Sequence, residues 1–134
     1  MQLALESAAK GSKYGQFTMG RLYRTGGGGA ARDAAAALAQ LRLAAAQNYD
    51  VAQSELGYAY SRSLGVAKDD VEAMRWYKLA AAQGLGSAQC IVGLLYEDGC
   101  GVAADRDEAM RWLQRAASAG YSEAYQALRR LRLH

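Results

Sequence analysis

The sequence predicts an all-α protein built as a stack of helical hairpins. Three observations predict it: an internal repeat, a helical spacing of small and apolar residues inside it, and paired signals for helix start and stop. Residues 52–87 and 88–123 align without a gap and agree at 16 of 36 positions. A period of this length is typical of arrays in which each unit completes the core of its neighbour.

The first half of each repeat predicts one helix, called helix A. Its small and apolar residues recur at i, i+4, i+5 and i+8, which places them on one helical face. These residues are Ala52, Leu56, Gly57 and Tyr60 in one repeat and Ala88, Val92, Gly93 and Tyr96 in the next. Glycine inside a helix costs about 1 kcal/mol relative to alanine. We therefore expect a second helix to approach closely over Gly57 and Gly93.

The second half predicts helix B. Each start has an aspartate followed three residues later by a glutamate, the spacing of a capping box that satisfies two backbone amides. The pairs are Asp69 with Glu72 and Asp105 with Glu108. Each helix B ends at a glycine, Gly84 or Gly120, because glycine most easily adopts a left-handed cap. Trp76 and Trp112 stand at the same place among alanines, so we expect both indoles to be buried and to seal a hairpin.

These residues follow the pattern A-x-x-x-L-G-x-x-Y-x-x-G-x-G-V-x-x-D-x-x-x-A-x-x-W-x-x-x-A-A-x-x-G. Residues 88–120 match it nearly throughout, and residues 52–84 depart lightly, mainly at Ser63 in the link. In this pattern the chain resembles the Sel-one-like repeat (SLR) family, a branch of the tetratricopeptide-like (TPR-like) helical repeats. The resemblance implies a right-handed α-α superhelix, a TPR-like solenoid, that binds other proteins and carries no common active site.

The rest of the chain is expected to complete one solenoid over residues 1–134, with eight helices in all. Residues 1–13 predict a half-repeat that caps the array, 14–51 a degenerate repeat, and 124–134 a C-terminal capping helix. Residues 52–87 and 88–123 are the regular repeats. In residues 14–51 the link is Gly26-Gly27-Gly28-Gly29, and Asn48 replaces the cap glycine. The chain opens inside a repeat, so Met1 either begins a shortened repeat or marks a fragment boundary.

Catalysis finds little support in the sequence. The one histidine, His134, is the last residue, so Ser-His-Asp and Cys-His arrangements and histidine metal sites have nothing to build on. The carboxylates are explained by helix starts. We therefore expect a non-enzymatic protein without cofactor or metal.

Charge and hydropathy indicate which classes of partner and which cellular compartment to expect. The formal net charge is +3, and basic residues alternate with acidic ones as far as residue 129, so nucleic acid is not the expected partner. No apolar run approaches the roughly 18 residues that a membrane span needs. Residues 1–11 lack the features of a signal peptide. We expect Cys90 and Cys100 to be free thiols, which favours a reducing soluble compartment such as the cytoplasm or an organelle matrix, although the localisation stays open.

An enzymatic alternative comes from the same resemblance. A secreted, cysteine-rich branch of the family has been linked to β-lactam binding and carries a regular cysteine pair in each repeat. The alternative function is therefore a β-lactam-binding or β-lactam-hydrolysing enzyme. Against it, Cys90 and Cys100 occur in one repeat only and at a different spacing.

A binding surface is expected on the side of helix A opposite its core face. In TPR-like arrays the stacked A helices line the concave side, so by resemblance this side is a candidate groove for a peptide or helix of another protein. The protein would then be an adaptor, a scaffold or a subunit of a larger assembly. Aromatic residues and arginine are the usual anchors. The candidate residues are Phe17, Arg21, Tyr58, Arg62, Ile91, Leu94 and Arg130. The same geometry predicts an exposed Cys90. The alternative is that these residues pack on neighbouring repeats or are scattered surface groups.

Overall fold

The computed structural model describes residues 4, 5, 8, 10–25 and 33–132, apart from the side chains of residues 22, 23 and 25. Within them it has seven helices and no strand, which confirms the all-α prediction. The helices are α1 Lys13–Thr25, α2 Ala34–Ala46, α3 Asp50–Arg62, α4 Asp70–Ala82, α5 Gly86–Asp98, α6 Arg106–Ser118 and α7 Ser122–Arg132. The predicted half-repeat at residues 1–13 and the Gly26–Gly29 link lie largely or wholly outside the described residues.

The helices belong to two compact units, Met1–Asp69 and Asp70–His134. In the first unit α1 and α2 form a hairpin and α3 packs on α2. In the second unit α5 and α6 form a hairpin, α4 packs on α5, and α7 packs on α6. Helices α1, α3, α5 and α7 are thus the A helices, and α2, α4 and α6 the B helices. None of the helices described is long and apolar enough to cross a bilayer.

The hairpins of both units depend on a close approach of helix B to a glycine of helix A. A Cβ placed on Gly93 would lie 2.6 Å from Cγ of Leu113. A Cβ on Gly20 would lie 3.0 Å from Cγ of Leu41. The predicted close approach is therefore confirmed at Gly93, and it recurs in the first unit.

The helix ends follow the predicted signals with one correction. The Asp105 carboxylate accepts from the Glu108 amide at 3.1 Å, as expected of an N-cap. The second half of the capping box is absent, because the Asp105 amide donates to the Tyr96 carbonyl at 3.0 Å and the Glu108 carboxylate pairs with Arg111. The caps at Asn48, Gly84 and Gly120 have positive φ angles of 63°, 96° and 95°, as predicted.

The two tryptophans are less alike than their positions in the repeat suggested. Trp112 is buried, whereas Trp76 is only half-buried, so the prediction is wrong for Trp76. The buried face of α4 includes Met74 and Tyr77, and Trp76 lies at its edge. In both repeats an arginine covers the indole: the Arg75 guanidinium lies 5.8 Å from the Trp76 ring and that of Arg115 lies 4.7 Å from the Trp112 ring.

Candidate functional site

Two of the predicted anchors, Tyr58 and Arg62, lie exposed on α3. The buried face of this helix consists of Ala52, Gln53, Leu56, Gly57 and Ala59. Tyr58 and Arg62 lie four residues apart on the other side, where Tyr58 keeps 43 % of its surface exposed. The Arg62 guanidinium lies 5.7 Å from the Tyr58 ring. This cation–π contact holds a large aromatic surface and a positive charge in one exposed place.

Phe17 is a correction to the predicted surface. It is only 8 % exposed, and its ring meets that of Tyr49 edge-on with centroids 5.2 Å apart. Tyr49 precedes α3, so the next helix A covers Phe17. Arg21, one turn further along α1, remains exposed and has its guanidinium 5.5 Å from the Phe17 ring.

Cys90 occupies the equivalent place in the second unit and is also buried, at 3 % exposure, contrary to the prediction. It lies in a cluster with Ala124, Ala127 and Leu128 of α7. Burial, and secondarily the charge of Glu123, raises the pKa of the Cys90 thiol above its ordinary value. Cys100 is half-buried, and both cysteines are free thiols, as expected.

The predicted anchors of the second unit are partly used by the fold. Ile91 and Leu94 are half-buried, and Leu94 packs against the core cluster beneath α7. Arg130 is exposed, but its guanidinium donates to both carboxylate oxygens of Glu97 at 2.9 and 2.6 Å. This ion pair joins α5 to α7. Ile91 and Leu94 thus offer a partner less free surface than Tyr58 does, and the Arg130 guanidinium is already held by Glu97.

Two side-chain contacts recur between helix B of one repeat and helix A of the next. The amide nitrogens of buried Gln53 and Gln89 donate to the carbonyls of Ala45 and Ala81 at 3.3 and 3.2 Å. On the outer side, Arg42 donates to the Tyr60 hydroxyl at 2.9 Å, and Lys78 donates to that of Tyr96 at 3.0 Å. The sequence repeat contained both glutamines and both tyrosines, but it gave no signal for their partners on helix B.

Two cavities lie among the described residues. An apolar cavity in the first unit has a volume of 20 Å³, room for about one water molecule. Its lining includes Leu38, Leu41 and Ala59. An open groove of 430 Å³ follows the outer face of α6, lined by Arg111, Gln114, Arg115 and Ser118. In the described part of the chain, no three His, Cys, Asp or Glu side chains are grouped to hold a metal ion.

The chain matches the model of the Sel1 repeat three times, over residues 13–49, 50–85 and 86–121. These segments run from the start of each helix A to just before the next one. No curated protein sequence matches the chain. The comparison therefore identifies the repeat without supplying a relative of known activity.

Three solved structures are similar to the chain. The Sel1 repeat protein from Oxalobacter formigenes is 35 % identical with a TM-score of 0.88, and the match covers 96 % of each chain. The antigen c5321 of uropathogenic Escherichia coli, which displays an SLR fold, is 33 % identical with a TM-score of 0.91. That match covers 94 % of this chain and 27 % of the antigen. Helicobacter pylori cysteine rich protein B is 19 % identical with a TM-score of 0.74, over 95 % and 90 % of the two chains, and shows the shared solenoid fold alone.

Proposed function

Because this chain belongs to the Sel1 repeat family, whose members are generally non-catalytic scaffolds and commonly protein–protein interaction modules, we propose that it is a non-enzymatic interaction module. Its ligand is a peptide or helix of another protein, which contacts the outward side of helix A at Tyr58 and Arg62 of α3. The protein acts as an adaptor or as a subunit of a larger assembly.

The observation that carries this proposal is the Tyr58–Arg62 pair. An exposed tyrosine offers a large, rigid contact area, and arginine adds directional hydrogen bonds; both types are enriched among residues that dominate binding energy. The cation–π contact at 5.7 Å keeps the tyrosine ring in one orientation before a partner arrives. Less side-chain freedom is then lost on binding.

The other predicted residues differ in how much of each side chain a partner could contact. Arg21 is an exposed cation on α1 in the same unit as Tyr58. Ile91 and Leu94 offer only the half of each side chain that the core leaves uncovered. Arg130 is ion-paired with Glu97 and orients α7 on α5 rather than serving as a primary anchor. Phe17 is part of the core and is excluded from the contact surface.

The test is affinity capture with the tagged chain, run beside two double variants. Tyr58→Ala with Arg62→Ala removes the proposed anchor. Leu43→Ala with Lys68→Ala is the matched control, because it also removes one exposed apolar group and one exposed cation from the same unit. Mass spectrometry identifies the captured proteins, and circular dichroism verifies that all three chains stay helical.

We expect a protein that the wild type and the control retain and that the Tyr58/Arg62 variant loses. Equal capture by all three chains would place the contact elsewhere. If no chain captures a partner, the interaction function itself is contradicted.

A further inference from the structure

The last helix, α7, has large or charged residues at three positions. The residues at the equivalent positions of α3 and α5 are buried or half-buried. Tyr125, Arg129 and Arg132 stand 36 residues after Gln89, Gly93 and Tyr96. Their spacing of i, i+4 and i+7 puts them on one side of the helix. We call these three residues the terminal stripe.

Burial separates the terminal stripe from its counterparts. In α5, Gln89 and Gly93 are buried and Tyr96 is half-buried. In α7, Tyr125 is 65 % exposed and both arginines are exposed. The core of α7 lies on its other side, at Ala124, Ala127, Leu128 and Leu131. The stripe is thus not needed for the packing of α7 within its unit.

The stripe does not suit a further hairpin of the same kind. Helix α6 packs on α5 with Leu113 so close to Gly93 that even a Cβ would lie 2.6 Å from its Cγ. Arg129 fills that place on α7. A helix packed on α7 as α6 is packed on α5 would therefore collide with the Arg129 side chain.

The stripe also carries positive charge. Arg129 and Arg132 make no ion pair with any residue between 33 and 132 or in the described segment before it, whereas neighbouring Arg130 is paired with Glu97. At the equivalent of Arg132, Tyr60 and Tyr96 each receive a hydrogen bond from a cation on helix B. The third B helix has Gln114 in the place of that cation.

We propose that Tyr125, Arg129 and Arg132 form a docking surface for an acidic segment of a partner protein. The guanidinium group matches a carboxylate with two parallel hydrogen bonds. Arg129 and Arg132 are separated by about 4.5 Å of helix rise, so they fit carboxylates one turn apart on a partner helix. Tyr125 supplies apolar contact at the other end of the stripe.

A protein segment fits this surface better than nucleic acid does. Two arginines make a short patch, while binding along a nucleic acid backbone takes a longer stripe of cations. The groove of α6 adds Arg111 and Arg115, but Arg111 is neutralised by Glu108 and Arg115 covers Trp112.

Fluorescence anisotropy of the intact chain tests the proposal with defined probes. The first probe is a short labelled helical peptide with glutamates one turn apart, and its control carries glutamine at those places. Double-stranded DNA and phosphatidylserine vesicles are the competing anions. The test variant is Arg129→Glu with Arg132→Glu. Lys10→Glu with Lys68→Glu is the control, since it makes the same change in net charge at exposed lysines of the first unit.

We expect the glutamate peptide to bind, the glutamine peptide to fail, and the Arg129/Arg132 variant to weaken binding by about tenfold or more. Tyr125→Ala weakens it with the charge unchanged, and the lysine control retains it. Absence of peptide binding, or equal affinity in the arginine variant and the wild type, overturns the proposal. Tighter binding of DNA or vesicles than of the peptide also overturns it.

This surface is independent of the proposed function of α3. The Tyr58/Arg62 variant is expected to bind the glutamate peptide as the wild type does. Loss of peptide binding in that variant would contradict the assignment to α7 and leave the capture experiment to decide the role of α3.

Discussion

The side-chain amide of Gln89 donates a hydrogen bond of 3.2 Å to the carbonyl oxygen of Ala81. The bond ties the first turn of α5 to the last turn of α4, where carbonyls have no partner inside their own helix. Gln53 makes the same bond to Ala45 in the first unit. Glutamine thus occurs at the same place in both repeats because its side chain makes the same hydrogen bond to the preceding repeat.

Replacing this glutamine should weaken the second unit. Gln89→Ala removes a buried hydrogen bond and leaves a small cavity, so we expect the free energy of unfolding in urea to fall by about 2 kcal/mol. Gln126→Ala on the exposed side of α7 is the control and should change it by less than about 0.5 kcal/mol. Equal effects of the two substitutions would contradict the structural role of Gln89.

The close contact of Gly93 with Leu113 predicts that alanine is not tolerated at position 93. Alanine is normally the better helix former by about 1 kcal/mol. Here Leu113 is fully buried, and the Ala109 carbonyl oxygen would lie 3.1 Å from the new Cβ. Gly93→Ala should therefore lower the free energy of unfolding by about 1–3 kcal/mol.

A double-mutant cycle shows whether the loss of stability in Gly93→Ala comes from the clash with Leu113 or from the helix backbone. Leu113→Ala makes room for the new methyl group, so Gly93→Ala should cost less in that background than in the wild type. Additive effects would show that Leu113 is not the obstacle.

The incomplete capping box at α6 predicts unequal effects of its two acidic residues. Asp105→Ala loses the bond to the Glu108 amide and should cost about 1 kcal/mol in thermal unfolding. Glu108→Ala loses only an exposed ion pair with Arg111, worth about 0.3–0.5 kcal/mol. A larger loss for Glu108→Ala than for Asp105→Ala would mean that the reciprocal bond forms in solution.

The two thiols should differ in reactivity toward a disulfide reagent at neutral pH. The thiolate is the reactive form, and Cys90 is both buried and raised in pKa, so it should react about tenfold or more slowly than half-buried Cys100. The Cys100→Ser variant should keep only the slow phase, and urea should make Cys90 fast. A single fast phase for both thiols would contradict the packing of α7 over Cys90.

Repeat spacing was sufficient to predict the helical hairpins, the glycine caps and the close approach at Gly93, because local backbone geometry and identical packing dictate them. It did not predict that Phe17 and Cys90 are buried. Their position on helix A points away from helix B, but it meets the next helix A, and one helix considered alone does not reveal that neighbour.

The sequence also did not predict which individual side chains contact each other. Arg130 is bound by Glu97, 33 residues away, and no helical period connects the two residues. Trp76 is half-buried while the equivalent Trp112 is buried, and a repeat with tryptophan at both places gives no signal for that difference. Tyr58 and Arg62 are exposed on α3, as the spacing of its core residues predicted.

Site-specific photo-crosslinking at position 58 tests most directly whether a partner binds through α3. A photoreactive phenylalanine derivative replaces Tyr58 in one chain and the exposed Leu43 of α2 in another. We expect a crosslink to one protein from position 58 and none to that protein from position 43. The same crosslinks from both positions, or none from position 58 while the intact chain still captures its partner, would contradict binding through α3.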